Sequence, residues 1–312
     1  MNHPQHVQIT EVGPRDGFQA ERSFIPTARK IEFIDRLVEA GVPRIEATSF
    51  VSPRAVPQLA DAEEVMRGVD RSRGAVLAAL VPNKRGALRA AEAAVDEMVV
   101  FVSASESHNR KNVNRPTEAS IAGFEEVARV AGEAGIPVSG AISVAFGCPF
   151  EGEVAPMRVG EIAHRFQQLG FAGASLGDTT GMATPPLVAA AVAAVREAAP
   201  GLGLSLHFHN TRGIGLANVM TGLGLGVDRY ESSFGGIGGC PFAPKATGNI
   251  CTEDLVYLLA EMGIDTGIDL RKLSGIACDV EVAVGHALPG QIMKAGLRLD
   301  LHPMDSVRVA QG

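Results

Sequence analysis

The sequence predicts a single (β/α)8 barrel with additional helices toward its C-terminal end, and three observations lead to this fold class. Short apolar segments rich in β-branched residues alternate with longer helical patterns, as in βα units that build a parallel sheet. Glycine follows these helical patterns, as at Gly41 and Gly135, where helices commonly end before the next strand. A chain of 312 residues with 46% hydrophobic content can bury one large core, and no Pro/Ser-rich linker divides it. We therefore assign residues 1–312 to one domain.

Eight such units follow one another along the chain. The predicted strands are Val7–Thr10, Arg44–Ala47, Ala75–Val81, Glu97–Val102, Pro137–Val144, Gly173–Gly177, Leu204–His209 and Arg229–Ser233. A helix-like run follows each strand, such as Thr27–Ala40 after the first and Glu118–Ala134 after the fourth. After the eighth strand, a Gly-rich loop leads to further helical segments from about residue 252, at Thr252–Met262 and Asp269–Gly285. The stretch Met293–Val309 receives no assignment.

Charge and composition favour small-molecule chemistry. The formal net charge is -7, with Lys+Arg 28 against Asp+Glu 35, so no excess of cations is present to bind a phosphate backbone or an anionic membrane. Tryptophan is absent and aromatic residues are only 5%, which does not suit base stacking. The most apolar stretch, Leu187–Val195, is too short to span a bilayer. We expect neither nucleic acid nor a membrane as a partner.

Cysteine use and the first residues predict a cytoplasmic location. The cysteines show neither CxxC spacing nor the density of a disulfide scaffold, which favours reduced thiols. They are Cys148, Cys240, Cys251 and Cys278. Met1–Gln8 lacks the basic region followed by an apolar region that marks a secretory signal.

Polar residues concentrate where the predicted strands end, which is the catalytic end of a (β/α)8 barrel. Arg15 and Asp16 follow the first strand in a Pro/Gly turn, either as functional groups or as an ion-paired turn. Glu46 interrupts the second strand, and a buried carboxylate needs a cation or a metal, for which Arg15 is the simplest structural partner. Asp178 ends the sixth strand, where a helix N-cap explains it equally well.

The sharpest local signal is the pair His207 and His209 at the end of the seventh strand. Residues two apart on a strand share a face, so both imidazoles can point at one metal ion, although a lone histidine would more often be a core residue. Asn249 could add an amide oxygen and Asp16 a carboxylate, a mixed set that suits Mg2+ or Mn2+. Zn2+ and Fe2+ stay open as alternatives. Two histidines and one carboxylate also describe a non-haem iron oxygenase site.

The loop Phe234–Phe242 is rich in glycine, which permits unusual backbone angles, so it could move as a lid over the barrel mouth. Cys240 lies on this loop. An unperturbed thiol has a pKa of about 8.5, so it is protonated at neutral pH and can donate a proton to a carbanion. The alternative is a small buried apolar residue. The glycines indicate a phosphate cradle only weakly, because no Lys-Ser/Thr pair follows them.

A polar run, Ser103–Arg115, follows the fourth strand. Its three cations stand among amides and hydroxyls that could hold the phosphates of a nucleotide-like handle such as coenzyme A. The alternative is a solvated loop. The candidate coenzyme A ligands are Ser105, Arg110, Lys111, Asn112 and Asn114.

A set of motifs spans nearly the whole chain in a fixed order. They are Val12–Gly17, Glu46–Pro53, Ser103–Glu106, Gly147–Gly152, Ser175–Thr179, His207–His209, Gly238–Ala243 and Gly248–Asn249. In these motifs the chain resembles the 3-hydroxy-3-methylglutaryl-CoA lyases, members of a barrel metallolyase superfamily that also includes isopropylmalate and homocitrate synthases. The Arg-Asp and His-x-His elements are shared across the superfamily, whereas the Gly-Gly-Cys-Pro loop is characteristic of the lyases.

The resemblance implies a divalent cation that binds the substrate's hydroxyl and acyl oxygens as a Lewis acid. Its ligands would be Asp16, His207, His209 and Asn249. Glu46 would orient Arg15 or the metal shell, and Glu253 would support the loop that carries Cys240. The resemblance also implies an acyl-CoA substrate, a homodimer, and a place in leucine degradation or ketone-body formation.

The resemblance further implies a division of chemical roles. His207, helped by Asp178, would remove the substrate's hydroxyl proton, and the alkoxide would collapse in a retro-Claisen step. Arg15 would stabilise the developing negative charge. Cys240 would then protonate the enolate carbon, giving acetyl-CoA and acetoacetate from the family's usual substrate.

The chain departs from the lyase pattern at two places. After the His-x-His element the lyases usually continue Asp-Thr-Tyr, whereas this chain has Asn210, Thr211 and Arg212, and Asn210 is the synthase form. Phe18 and Ala20 replace the usual Leu and Asn after the Asp-Gly pair. A pocket altered in this way could accept another 3-hydroxy-3-alkylglutaryl-CoA or a citramalyl-type thioester.

Two other classes of protein stay open. A condensing synthase of the isopropylmalate type would carry a C-terminal regulatory region that this chain lacks, and Gly239–Pro241 also argues against it. A non-catalytic barrel that keeps the metal site would show metal-dependent stability but no turnover.

Overall fold

Eight parallel strands close into a barrel in sequence order, with the last strand paired to the first. The structure is a computed structural model, and it describes residues 3–239 and 248–301. The strands are β1 Gln8–Glu11, β2 Arg44–Ser49, β3 Val76–Leu80, β4 Glu97–Ser103, β5 Val138–Ser143, β6 Gly173–Gly177, β7 Gly203–His207 and β8 Arg229–Ser232. The predicted (β/α)8 barrel is confirmed.

Most strand ends differ from the prediction by one residue, and the ends of β2 and β7 differ by two residues. β2 runs on to Ser49, with a register shift against β3 between Glu46 and Thr48. β7 ends at His207 and not at His209, because His209 leaves the sheet to form an isolated bridge with Asn249. That bridge joins the loop after β7 to the segment that follows the Gly-rich loop.

Helices follow the strands and cover the outside of the barrel. They are α1 Phe18–Ala20, α2 Thr27–Glu39, α3 Ala62–Gly68, α4 Lys84–Glu92, α5 Glu106–Val113, α6 Thr117–Ala134, α7 Pro156–Gln168, α8 Pro185–Ala198, α9 Gly215–Gly224, α10 Thr252–Glu261, α11 Leu270–Val284 and α12 Ile292–Ala295. The predicted C-terminal helices thus correspond to α10 and α11, and α12 falls in the stretch that received no assignment. Gly135 ends α6 with a left-handed backbone (φ 68°), as the glycine pattern predicted.

The main apolar core lies between the outer face of the strands and the inner faces of the helices. Phe18, Phe33 and Phe234 form one aromatic cluster in it, with ring centroids 5.5–6.3 Å apart. A smaller apolar group around Leu80 and Val99 forms a second cluster, on the strand face that points into the barrel. Among the described residues, no helix is long and apolar enough to cross a membrane.

The interior also carries charged residues, which are paired with one another. Arg44 donates from Nε to Glu97 Oε2 (2.9 Å) and from Nη1 to Thr10 Oγ1 (3.0 Å). Glu97 in turn accepts a hydrogen bond from Ser139. These side chains from β1, β2, β4 and β5 fill the barrel with a hydrogen-bonded layer, as buried charges require.

Candidate metal centre and active site

Asp16, His207 and His209 meet at the carboxyl ends of the strands. Each offers one ligand atom, and these atoms lie within 4.8 Å of one another. Asp16 lies in a short π-helical turn after β1, His207 is the last residue of β7, and His209 follows two residues later. The predicted metal-ligating residues are therefore brought together by the closure of β1 and β7 into one barrel mouth.

Asn249 completes this cluster from the other side. Its Nδ2 donates to Asp16 Oδ2 (2.8 Å) and to Ile237 O (3.1 Å). Its Oδ1 is buried and has no hydrogen-bond partner among the described residues. The amide is thus held by its nitrogen while its oxygen stays available as a ligand.

The geometry fits a divalent cation. His207 Nε2 and His209 Nε2 lie 3.1 Å apart. Two imidazole nitrogens at roughly 2.1 Å from one ion and at right angles to each other would be about 3 Å apart. Together with a carboxylate and the free amide oxygen of Asn249, they form the mixed oxygen and nitrogen set that hard or borderline divalent ions take.

The protonation states of His209 and Asp16 also fit metal binding. Burial, reinforced by the neighbouring His207, lowers the pKa of His209 to about 3, so this imidazole is neutral and has a lone pair to offer. Burial alone would raise the pKa of Asp16, but Arg15, His207 and the hydrogen bond from Asn249 hold it below its usual value. A neutral imidazole and an ionised carboxylate are the ligand forms that a cation requires.

Arg15 lies at the centre of a buried ion-pair network. Its Nη1 donates to Asp16 Oδ1 (2.8 Å) and its Nη2 to Glu46 Oε2 (2.7 Å). The pairing of Glu46 with Arg15 that the sequence suggested is present. Because both carboxylates raise the pKa of Arg15 against the effect of burial, its guanidinium stays charged beside the Asp16–His207–His209 cluster.

Asp178 stands beside this cluster at the end of β6, with its backbone N–H donating to His207 O (2.8 Å). Its Oδ1 accepts the N–H groups of Met182 (2.6 Å) and Ala183 (2.8 Å), which folds the turn ahead of α8. The carboxylate therefore caps a turn and not the N-terminus of a helix. Its Oδ2 is buried without a partner in the described structure, and burial raises the pKa of Asp178 to about 7.

Two buried carboxylates hold the base of the Gly-rich loop. Glu253 accepts the N–H of Gly235 at both oxygens (3.1 and 3.0 Å). Glu11 accepts the N–H of Phe234 (3.0 Å), and burial raises its pKa to about 7 and that of Glu253 to about 8. Cys240, the predicted proton donor on this loop, lies outside the described residues. The predicted support by Glu253 acts at the start of the loop.

Sequence reasoning missed two residues near the site, Glu11 and Glu231. Glu11 also accepts the N–H of Gly13 (2.7 Å) and the hydroxyl of Thr252 (2.6 Å). Glu231 Oε2 lies 3.1 Å from Nδ1 of His207, its partner in the β7–β8 register. Both are acids in strands, as Glu46 is, and a search of the predicted strands for acids would have found Glu231, whereas Glu11 lies one residue beyond the predicted strand Val7–Thr10.

Burial alone would raise the pKa of Glu231 as well. The hydrogen bond and the charge of His207, with Arg44 and Ser175 nearby, hold it below its usual value instead. Glu231 is therefore ionised where it faces the imidazole.

The predicted coenzyme A ligands lie on α5 and at its ends, so the solvated loop considered for this run is in fact largely a helix. Ser105 caps it by accepting the N–H of His108 (3.2 Å), and Asn114 ends it with a left-handed backbone. Arg110 pairs with Glu106 one turn earlier (2.8 Å). Lys111 and Asn112 are exposed.

The departures from the lyase pattern lie in different parts of the barrel, one in the apolar core and one in the loops at the mouth. Phe18 is fully buried in the aromatic cluster with Phe33 and Phe234, so it packs the core and does not line the mouth. Arg212 donates to the carbonyls of Thr180 (3.0 Å) and Gly181 (2.6 Å), which joins the loops after β6 and β7. Of these two residues, Arg212 is the one that changes the loops around the site.

A parallel eight-stranded barrel with an Asp–His–His cluster and a buried arginine at its mouth is typical of metal-dependent barrel enzymes. The family model described as HMGL-like matches residues 6–280. The chain belongs to the HMGL-like family.

Individual relatives agree with this membership. The mitochondrial hydroxymethylglutaryl-CoA lyase of Bos taurus is 42% identical over 95% of this chain and 91% of its own length. The hydroxymethylglutaryl-CoA lyase of Bacillus subtilis strain 168 is 43% identical over 93% of this chain and 97% of its own. The solved structure of an HMG-CoA lyase from Acinetobacter baumannii, in complex with coenzyme A and 3-methylmalate, superposes with a TM-score of 0.92 at 44% identity and covers 96% of this chain and 98% of that one. The resemblance seen in the sequence is confirmed.

Proposed function

We propose that this chain is a divalent-metal-dependent carbon–carbon lyase that cleaves 3-hydroxy-3-methylglutaryl-CoA to acetyl-CoA and acetoacetate. The observation that carries the proposal is the Asp16–His207–His209 cluster beside the charged Arg15, at the mouth of a barrel whose relatives are hydroxymethylglutaryl-CoA lyases. The cluster supplies a cation site, and Arg15 supplies fixed positive charge for an oxyanion.

Asp16, His207, His209 and the free Oδ1 of Asn249 would hold the cation. When bound, it supplies Lewis acidity toward the hydroxyl and acyl oxygens of the substrate. Mg2+ or Mn2+ suits the oxygen donors, and the two imidazoles also suit Zn2+.

We assign the general base to Asp178. The sequence suggested His207 for this role with help from Asp178, but Nδ1 of His207 faces Glu231 and its Nε2 faces the cation cluster. Neither nitrogen is then free to accept a proton. Asp178 has a buried Oδ2 without a described partner and a pKa of about 7, which suits a base that works near neutral pH.

The remaining steps follow from charge and proton balance. Asp178 takes the proton of the tertiary hydroxyl, the carbon–carbon bond breaks, and its electron pair passes to the thioester enolate. Arg15 stabilises the negative charge, and Cys240 gives its thiol proton to the enolate carbon. Glu11 and Glu253 hold the start of the loop that carries Cys240 at the backbone of Phe234 and Gly235.

The coenzyme A handle would extend from the mouth along α5. The exposed cations Arg110 and Lys111 would meet its phosphates, and Asn112 and Asn114 would supply amide contacts from the same helix end. Ser105 is buried, with its Oγ 2.9 Å from Cys148 Sγ, so it supports this region and does not face solvent.

A second substrate is favoured by one observation. The Acinetobacter baumannii enzyme holds 3-methylmalate together with coenzyme A. 3-Methylmalate is a hydroxydiacid with a four-carbon main chain, one carbon shorter than that of hydroxymethylglutarate, and in this chain Arg212 stands close enough to act electrostatically on Asp178. A shorter hydroxyacyl-CoA is therefore the alternative substrate for the same retro-Claisen chemistry.

The test is to incubate the purified protein with 3-hydroxy-3-methylglutaryl-CoA and Mg2+ or Mn2+ while following acetyl-CoA and acetoacetate. An EDTA-treated sample and the variants Cys240→Ser and Cys278→Ser run alongside, because Cys278 is an exposed thiol on α11 and serves as the matched control. We expect products that require metal, fall by several orders of magnitude in Cys240→Ser, and persist in Cys278→Ser. Cleavage of a citramalyl-type thioester alone would select the second substrate.

Two outcomes would refute the lyase. Condensation of an acyl-CoA with a keto acid, without cleavage, would identify a synthase. Metal-dependent stability without turnover of any hydroxyacyl-CoA would identify a non-catalytic barrel.

The cellular setting and the oligomeric state are also part of the proposal. We propose a cytoplasmic location, because one relative from Rattus norvegicus is named a cytoplasmic lyase, and a homodimer in leucine degradation or ketone-body formation, as the resemblance to the lyases implies. Light scattering on the purified protein measures the oligomeric state directly.

A further inference from the structure

Glu231 lies under the cation cluster and contacts one of its ligands. It is in β8, where the strand alternation turns its side chain toward the barrel interior, and it is paired in register with His207 of β7. Glu231 Oε2 and His207 Nδ1 are 3.1 Å apart, and both side chains are almost fully buried. The register of two neighbouring strands therefore fixes this contact, independently of any loop.

The two imidazoles of the cluster are supported differently. Nδ1 of His207 faces the carboxylate of Glu231, whereas Nδ1 of His209 is buried without a partner among the described residues. An imidazole that donates Nδ1–H to a carboxylate keeps its lone pair on Nε2 and cannot rotate away. Nε2 of His207 then points at Nε2 of His209, 3.1 Å away, where the cation would lie.

We propose that Glu231 is the positioning residue of the cation site, which fixes the ring of His207 and makes its Nε2 a stronger ligand. A carboxylate behind a histidine ligand commonly contributes ten- to a hundredfold to metal affinity. His209 lacks such a partner in the described structure. The contact between Glu231 and His207 is therefore the one that orients an imidazole ligand of the site. The inference rests on the metal-binding part of the proposed function and not on the identity of the substrate.

Glu97 provides the natural control for this role. Glu97 lies in the next layer of the barrel, where Arg44 donates to it (2.9 Å) and to Thr10 (3.0 Å), and the described hydrogen-bond partners of this largely buried acid are Arg44 and Ser139. Glu97→Gln thus removes one interior carboxylate, as Glu231→Gln does, while leaving His207 untouched.

The experiment measures Mn2+ binding to the full-length protein after EDTA treatment, with free Mn2+ read by electron paramagnetic resonance and no substrate present. We expect the Kd for Mn2+ to rise about tenfold to a hundredfold in Glu231→Ala and by a smaller factor, at least about threefold, in the isosteric Glu231→Gln. Glu97→Gln should stay within about twofold of the wild type. Circular dichroism and the melting temperature establish that each variant is folded. If Glu231→Ala does not fold, the result for Glu231→Gln decides the test.

Two results would overturn the proposal. One is a Kd for Mn2+ within twofold of the wild-type value in folded Glu231→Gln, and in Glu231→Ala if that variant also folds. The other is a loss in Glu97→Gln as large as in Glu231→Gln, which would mean that the barrel interior matters only as packing. A wild-type protein that binds no Mn2+ would overturn both this inference and the metal role in the proposed function. A wild-type protein that binds Mn2+ tightly but does not cleave the substrate would overturn only the proposed substrate.

Discussion

Replacing Glu11 by Gln tests how a buried carboxylate at the junction of three segments is held. Glu11 Oε1 accepts the N–H groups of Gly13 (2.7 Å) and Phe234 (3.0 Å), and its Oε2 accepts the hydroxyl of Thr252 (2.6 Å). These donors belong to the turn that carries Asp16, to the Gly-rich loop and to the start of α10. Three donors favour the ionised carboxylate, whereas complete burial favours the neutral acid.

Burial prevails in the structure and raises the pKa of Glu11 from 4.5 to about 7. As the pH rises above 4.5, the unfolded chain releases this proton while the folded protein keeps it. The free energy of unfolding therefore falls from about pH 4.5 until the folded protein also ionises near pH 7, and then stays level. A difference of roughly 2.5 pKa units corresponds to about 3 kcal/mol.

Glu11→Gln abolishes this dependence because an amide does not titrate. We expect the loss of stability between pH 4.5 and pH 8 to be about 3 kcal/mol smaller in Glu11→Gln than in the wild type, as measured by urea unfolding in EDTA. Gln can still accept both N–H groups, so the two proteins should have similar stability at pH 4.5. Glu125→Gln, an exposed substitution on α6, is the control and should follow the wild type.

Parallel curves for the wild type and Glu11→Gln would refute the reasoning. They would mean that the three donors keep Glu11 ionised in the folded protein at the same pH as in the unfolded chain.

Two further predictions concern close packing and a buried charge. Gly238→Ala should weaken Mn2+ binding at least tenfold, because the backbone there has φ 110° and an added Cβ would lie 2.6 Å from Asn249 Nδ2. Gly152→Ala, equally left-handed but with nothing within 4 Å, should leave Mn2+ binding unchanged. Lys30→Met should reduce the free energy of unfolding by about 3–5 kcal/mol in urea, since it leaves the carboxylate of Asp61, now 2.7 Å from Lys30 Nζ, without its charge partner. Equal stability of Lys30→Met and the wild type would contradict the last prediction.

The sequence was sufficient for the fold because its main signals are local. Strand alternation, helix periodicity and glycine at helix ends depend on neighbouring residues, and they placed all eight strands within about two residues. The same alternation placed His207 and His209 on one side of the chain, and the Pro/Gly turn placed Asp16 at a strand end. Glu46 was recognised as an acid inside a strand, with Arg15 as its partner.

The polar run after β4 shows where local signals were insufficient. Ser103–Arg115 contains no apolar stripe, so periodicity gave no helix, yet α5 forms from Glu106 to Val113. Its ends supply the reason, because the Ser105 hydroxyl caps the first turn and Asn114 closes the last with a left-handed backbone. Caps mark where a helix begins or ends, but they do not by themselves predict a helix in a run without apolar periodicity.

By itself the sequence determined the order of strands and helices, the family, and the types of residue at the barrel mouth. Only the tertiary structure decided which of them meet. The register of β7 against β8 pairs Glu231 with His207, and the path of the chain back from the Gly-rich loop brings Asn249 to Asp16 and His209. These contacts join residues far apart in sequence, so their geometry depends on how the barrel closes and on which strands become neighbours, which no local pattern records.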